Sequence, residues 1–413
     1  MSKAVDMKTL GFRWNPFRLI PAESTEIWAG RPELRKRIQM IMERSLVVSP
    51  SRMYLIWGDW GGGKTHSLRF FAGEVGAKGG LPVYFELPKA AKTTFYDVYS
   101  EFVKNIGQAR LKKASEKLYS HFERIADSKL GSMSRLDASR ILDQLPIQGR
   151  QLLKKTEKDE ERSRMGMIID QLNRFFDERT DFALAVHYLA KGTDDESWAA
   201  WGWISGIEEG KAIGIQASVE SANLQSIWGL IVRMLTFEEL EGEKPPYKAV
   251  FCFIDEFEDI EEMDTKSRLS ITNGLKAAFN HSPERFCLLL SMSVPVQEEV
   301  EVRIGESLLS RISKPLIQTT PLDKRETKNF IKDLLNQSRD PDFKAPEAFY
   351  PFTEDAVDEV INEIEEQEGK ITPRSILAYC GTVVEMAVLS RTFESGTKAR
   401  IPPSFVEKAL EPI

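Results

Sequence analysis

A chain of 413 residues with 42% apolar side chains is long enough for two or three domains with cores of their own. Charged residues make up 29% and the net charge is −7, a mildly acidic balance that excludes wholesale coating of nucleic acid and leaves room for a local basic strip at most. Three cysteines without paired spacing, four scattered histidines, no apolar run of membrane length and no signal-peptide h-region exclude a disulfide scaffold, a zinc site and a membrane span, so the expectation is a cytoplasmic protein.

Residues 1–30 lack regular periodicity but contain Asn15-Pro16-Phe17 and lead into Trp28-Ala29-Gly30-Arg31-Pro32-Glu33-Leu34. Pro32 marks a helix start, with Leu34, Ile38, Ile41 and Met42 on its apolar stripe. Arg31, Arg35, Lys36 and Arg37 make the other face basic, and a solvated face is its ordinary explanation. Met53 to Trp57 is an apolar run that feeds a glycine-rich turn, and a helical pattern covers Lys64 to Ala72. Further strand-like runs are Pro82–Leu87, Ala249–Ile254, Phe286–Leu290 and Leu316–Thr319. Helical patterns at Thr94–Ile106, Lys266–Phe279 and Val296–Leu309 separate them. Strands alternating with helices, several apolar on both faces, predict an α/β fold with a parallel sheet covered on both sides.

A long interruption, 107–245, is helical in pattern and too long for a structureless loop. Its residues 154–164 read as a solvated helix or linker, and Gly166–Phe176 carries an apolar stripe. Trp198, Trp201 and Trp203 either stack nucleobases or, as large buried rings more often do, form the core of a small helical subdomain. Beyond Asp323 the strands stop, and patterns at Thr327–Leu335, Glu354–Glu365, Pro373–Val388 and Pro403–Leu410 predict an all-helical C-terminal domain.

The chemistry concentrates at Gly58-x-x-x-x-Gly63-Lys64-Thr65, the P-loop spacing set between a strand and a helix. Without a Cβ, Gly61, Gly62 and Gly63 allow the backbone to turn its N–H groups toward phosphate oxygens, and the positive end of the next helix adds to the field. Lys64 then supplies a point charge between the β- and γ-phosphates, and the Thr65 hydroxyl is a Mg²⁺ ligand. Gly58, Asp59, Trp60 and His66 complete the predicted ATP-binding cradle. The strand ending Phe253-Ile254-Asp255-Glu256 delivers two carboxylates to the edge where ligands collect in open α/β sheets. Asp255 is the expected holder of Mg²⁺ through water, and Glu256 the group that activates the attacking water. Glu258, Asp259, Glu261, Glu262 and Asp264 follow in a run and are assigned to solvent.

This order of parts resembles the AAA+ ATPase superfamily: Walker A, second strand, Walker B with Asp-Glu, a polar sensor on the fourth strand, an arginine after the next helix, and a helical lid. The resemblance implies a P-loop NTPase sheet with residues 49–106 and 246–321 as the α/β core, 107–245 as a helical insertion and 322–413 as the lid. Ser293, in preference to Ser291, is then the sensor. Leu308-Leu309-Ser310-Arg311-Ile312 resembles the arginine-finger stretch, which makes Arg311 the residue acting on a neighbour's nucleotide, with Arg303 as the fallback. Ile371-Thr372-Pro373-Arg374-Ser375 resembles the sensor-2 motif and sends Arg374 back to the γ-phosphate.

The N-terminal motifs resemble the origin-recognition-like ATPases, which implies that residues 1–48 lie near the adenine, with Phe17, Arg18 and Arg31 lining its pocket. The insertion with Trp201-Gly202-Trp203 also resembles prokaryotic ATPases of phage-defence systems. The resemblance implies a winged-helix DNA reader after the lid in initiators, and with the lid expected to run to Ile413 none is expected here. The expected function is an oligomeric ATPase that uses ATP and Mg²⁺ to switch a partner protein. The alternatives are a DNA-targeting ATPase that assembles on DNA, and a nucleotide-stabilised scaffold with little turnover.

Overall fold

The computed structural model describes residues 7–18, 27–90, 92–130, 159–208, 210–215, 223–238, 244–390 and 400–411. In chain order, helix α1 (Pro32–Val47) precedes strand β1 (Arg52–Gly58), α2 (Lys64–Ala77), β2 (Leu81–Glu86) and α3 (Phe95–Ile106). The insertion contributes α4 (Gln108–Leu130), α5 (Asp159–Phe175), α6 (Thr180–Lys191), α7 (Asp194–Ser205) and α8 (Leu224–Leu235). Then come β3 (Val250–Asp255), α9 (Thr265–Asn280), β4 (Phe286–Ser293), α10 (Gln297–Leu309) and β5 (Ile317–Thr319). The C-terminal helices are α11 (Lys324–Ser338), α12 (Glu354–Glu368), α13 (Pro373–Ser390) and α14 (Pro403–Leu410). Of the predicted solvated segment, residues 154–158 lie outside the described residues, and from Asp159 onward it opens α5.

Among the described residues the strands form one parallel sheet in the order β2-β3-β4-β1-β5. All positions of β3 and β4 are buried, as continuous apolar runs in a sheet covered on both faces require. Register decides the site: Gly58 pairs with Ser293 and with Thr319, and Glu86 with Asp255. The P-loop therefore leaves the sheet beside the carboxyl ends of β4 and β5, one strand away from that of β3. One sheet face packs on α1 and α2 through Ile38, Met42, Leu68 and Phe71.

The other face shares its core with the insertion. Trp228 of α8 stacks on Phe102 of α3 at 3.6 Å between centroids and meets Phe286 of β4 edge-on at 6.0 Å. Tyr99 donates its hydroxyl proton to the Ile204 carbonyl across the same boundary (2.6 Å). The sequence suggested a separate helical subdomain here; the helices instead bury their apolar faces in one cluster with the sheet. Trp201 and Trp203 belong to that cluster, so of the three tryptophans Trp198 is the exposed one.

The N-terminal stretch divides. Helix α1 lies on the sheet, whereas Met7, Leu10, Phe12 and Phe17 pack with α11, α12 and α13 in a second, purely helical core. Backbone bonds from Arg13 N to Ser338 O and from Asp340 N to Gly11 O (both 3.0 Å) strap the segment to α11. No helix among the described residues is long and apolar enough to cross a membrane.

Candidate active site

The glycine loop runs from the end of β1 to the start of α2, whose first residue is Lys64. Two glycines there have steric reasons. Gly58 has φ 145°, and a Cβ on it would sit 2.3 Å from the Thr319 carbonyl oxygen. Gly61 has φ 73°, and its Cβ would meet Cβ of Arg374 at 2.9 Å. The loop is thus pressed between β5 and the lid, where only a bare backbone fits. Lys64 is buried, its ammonium donating to the carbonyls of Gly58 (3.0 Å) and Asp59 (2.8 Å). Burial pushes this ammonium down to about 8, while the carboxylates of Glu258, Asp255 and Asp59 oppose the fall.

Asp255 is buried at the end of β3 and fully oriented. Its Oδ2 accepts from the Tyr84 hydroxyl (2.8 Å), and its Oδ1 accepts from the Ser291 hydroxyl and the Glu256 amide. Arg69 donates in turn to the Tyr84 oxygen (3.2 Å). The Tyr84 proton is held well above its ordinary range, first by burial and then by the Asp255 charge. Thr65 opens onto the same cleft. The Thr65 hydroxyl and the Asp255 carboxylate on one cleft are the kind of oxygen donors that suit Mg²⁺, so the residues fit the metal. Glu256 has left-handed backbone (φ 53°) and pairs through its carboxylate with Lys89, which also reaches Asp259 at 3.1 Å.

Lys64, Thr65, Arg69, Asp255 and Glu256 border a cleft of about 560 Å³, within the range of small-ligand sites. Its walls include Trp60, Gly61, Gly62, Gly63, Lys64, Thr65 and His66 from the P-loop side, Asp255, Glu256 and Ser293 from the sheet edge, and Arg18, Arg31 and Arg374 from the N-terminal strap, α1 and the lid. Arg31 is half-buried, donates to the carbonyls of Gly62 and Thr320, and is pushed down to about 10 chiefly by desolvation. His66 bonds the Ile27 carbonyl (2.9 Å), and burial lowers its affinity for a proton. The lid closes on the loop through Arg374 N to Gly61 O (3.3 Å) and an ion pair between Lys370 and Asp59 (3.0 Å).

Two expectations need correction. Phe17 does not line the cleft: Asn15 Oδ1 accepts from the Phe17 amide (2.9 Å), and this turn rolls the ring into the lid core, edge-on to Phe352. Trp14, one residue before the Asn15-Pro16 turn, takes the cleft position instead. Glu258, assigned to solvent, is buried in the cleft with Oε2 accepting from the Ser293 amide (3.0 Å). Of the two serines, Ser293 borders the cleft, while Ser291 lies beneath it on Asp255. Arg303 is tied to Glu261 and Glu299 (3.0 and 2.7 Å), whereas Arg311, just past α10, is exposed and outside this chain's own cleft. Tyr84 and Lys370 escaped the sequence reading because neither stands in a motif.

The fold and the site together give a parallel α/β sheet whose glycine loop lies in a cleft beneath a helical lid. No family model matches the chain, and no curated protein matches it. Solved structures similar to it include the ORC1 protein of Aeropyrum pernix in complex with DNA, at 11% identity and TM-score 0.47, covering 96% of this chain and 69% of that one. Drosophila ORC bound to DNA is similar at 10% identity and TM-score 0.47 (99% and 67% covered), and Cdc6p of Pyrobaculum aerophilum at 11% and 0.44 (98% and 70%).

Proposed function

We propose that this chain is an oligomeric AAA+ ATPase that binds ATP with Mg²⁺, hydrolyses it, and uses assembly or lid movement to switch a partner protein in a prokaryotic defence or other DNA-related system. One observation carries the reading: Lys64, Thr65, Asp255, Glu256 and Arg374, from three separate stretches of chain, border a single cleft. In the proposed reaction the oxygen of a water bonds to the γ-phosphorus as the bond to the bridging oxygen breaks, and ADP leaves with that electron pair. Lys64 balances charge on the β- and γ-phosphates. Thr65 and Asp255 would hold Mg²⁺, which would neutralise charge on the phosphate oxygens. Glu256 exchanges Lys89 for the water and takes its proton, which then passes to solvent. Ser293 and Arg374 contact the γ-phosphate end, and Arg18, Arg31 and Trp14 surround the base. Arg311 completes a neighbour's site.

The test is ATPase rate per chain against protein concentration. The rate is expected to rise with assembly, and Arg311→Ala to lose about 10³-fold in turnover at unchanged nucleotide affinity. Mixing Arg311→Ala with Glu256→Gln restores activity, because each protomer supplies what the other lacks. A rate independent of concentration and indifferent to Arg311 defeats the trans site, and a Glu256→Gln variant without effect favours the scaffold. For the DNA-targeting alternative, the two supporting sequence features are partly engaged in packing: Arg37 bonds the carbonyls of Pro315 and Leu316, and Trp201 and Trp203 are buried, while Arg35, Lys36 and Trp198 stay exposed. Stimulation by DNA that falls steeply with salt would revive it.

A further inference from the structure

Behind Asp255-Glu256 the sequence places five more carboxylates within eight residues, and composition offers no reason to separate them. The backbone separates them. At Glu256 it enters the left-handed region, which a side chain with a Cβ adopts only where its surroundings hold it there. The bend opens a short 3₁₀ turn, Phe257–Glu262, pinned by the fully buried side chains of Phe257 and Ile260. Glu258 is thereby returned to the end of β4 instead of facing solvent.

There it is 7% exposed, accepts from the Ser293 amide and borders the cleft with Lys64. Of the carboxylates acting on the Lys64 ammonium it exerts the strongest pull, ahead of Asp255 and Asp59. Satisfying one backbone amide does not require a charge, since a hydroxyl or an amide oxygen would serve, and burying a carboxylate is unfavourable unless its charge is used. Glu256, by contrast, is held by Lys89.

We propose, on the ATPase reading above, that Glu258 is a catalytic carboxylate of this cleft: one oxygen stays on the Ser293 amide while the other accepts a hydrogen bond from the attacking water and holds it in line with the γ-phosphorus. Glu258 gains no proton in the step; the water's proton goes to Glu256, the new O–P bond forms, and the bridging P–O bond breaks with its electron pair on ADP. Standing at the γ-phosphate end, Glu258 opposes the charge of ATP more than that of ADP.

Glu258→Gln tests this, because glutamine keeps the shape and an acceptor for the Ser293 amide but removes the charge and the second acceptor. Single-turnover hydrolysis is expected to fall roughly a hundredfold, the scale of a mispositioned reactant. Titration with fluorescent ATP and ADP analogues is expected to show ATP binding severalfold tighter and ADP binding unchanged, a split that a merely structural role would not produce. Hydrolysis within twofold of the unaltered chain, with an unaltered ATP-to-ADP preference, overturns the proposal. If the glutamine variant binds neither nucleotide, Glu258→Asp decides. Slow hydrolysis with the original ATP-to-ADP preference supports the role, and a full rate overturns it. An unaltered chain that binds neither ATP nor ADP overturns the ATPase reading itself, a failure distinct from these.

Discussion

The floor and the roof of the cleft are built on different physics. The floor, made of the P-loop and the ends of β3 and β4, is continuous with the large core joining the sheet to the insertion, and strand register sets its residues. The roof, made of the Met7–Arg18 strap and helices α11 to α13, has a core of its own. It meets the floor side through polar links: Lys370 to Asp59, Arg374 N to Gly61 O, Gly30 N to Asp333, and Gln337 to the Trp28 carbonyl. Each such link is worth about 1 kcal/mol or less, whereas each buried aromatic in either core is worth several. Apolar burial thus holds the floor together, while the roof is tied to it mainly by weak polar links.

The largest effects test whether the two bodies are separate. Trp228→Ala removes the ring stacked on Phe102 and is expected to lower the floor's stability by about 3–5 kcal/mol, and Phe352→Ala to take a similar amount from the roof. Calorimetry resolving two transitions, each variant lowering a different one, sustains the division; one shared shift ends it. Next, Lys64→Ala is expected to cost about 2–3 kcal/mol of ATP affinity, roughly 30- to 150-fold, in titrations with a fluorescent analogue. Both melting transitions should survive that change.

A smaller effect separates the bodies by acid. His187 of α6 is buried between Tyr119 and Tyr188, and burial pushes it down from 6.5 to about 4, with Glu196 opposing and Lys191 adding to the fall. The folded floor keeps it neutral while the unfolded chain takes up a proton. Its share of stability is therefore present above pH 6.5 and lost as the pH falls through that window, roughly 2 kcal/mol between pH 7 and pH 5. His187→Leu should flatten the acid dependence of the floor transition and leave the roof's unaltered; His66, shifted the same way, keeps some slope in the variant. The smallest effect is Lys370→Ala. Its ion pair with Asp59 is partly exposed, so stability should change by less than about 1 kcal/mol. Hydrogen exchange at the start of α13 should nonetheless quicken, and equal exchange would show the roof held by other links.

The legible parts of the site were those in which a few consecutive residues carry the whole geometric requirement. Gly58 to Thr65 is one, because a strand, a bare turn and a helix start are local events. The end of β3 is another, because six apolar residues can only be a buried strand and Asp255 must emerge at its edge. Phe17 was misread because the pattern Asn-Pro-Phe does not say toward which body its turn rolls the ring; the Asn15 side chain and the pocket beside Phe352 decide that. Glu258 was missed because a run of acids looks uniformly solvated until one backbone bend aims a single member inward. Periodicity reveals that each helix of the insertion has an apolar face, not that the sheet side covers it.

By itself, then, the sequence determined the α/β alternation, the position of the phosphate loop and the two carboxylates facing it, all set by backbone sterics and apolar runs over fewer than ten residues. Tertiary structure decided which arginine is tied in an ion pair and which is exposed, which aromatic borders the cleft, and that Glu258 shares it with Lys64. Those outcomes depend on residues scores of positions apart meeting at one sheet edge, and no local pattern encodes such a meeting.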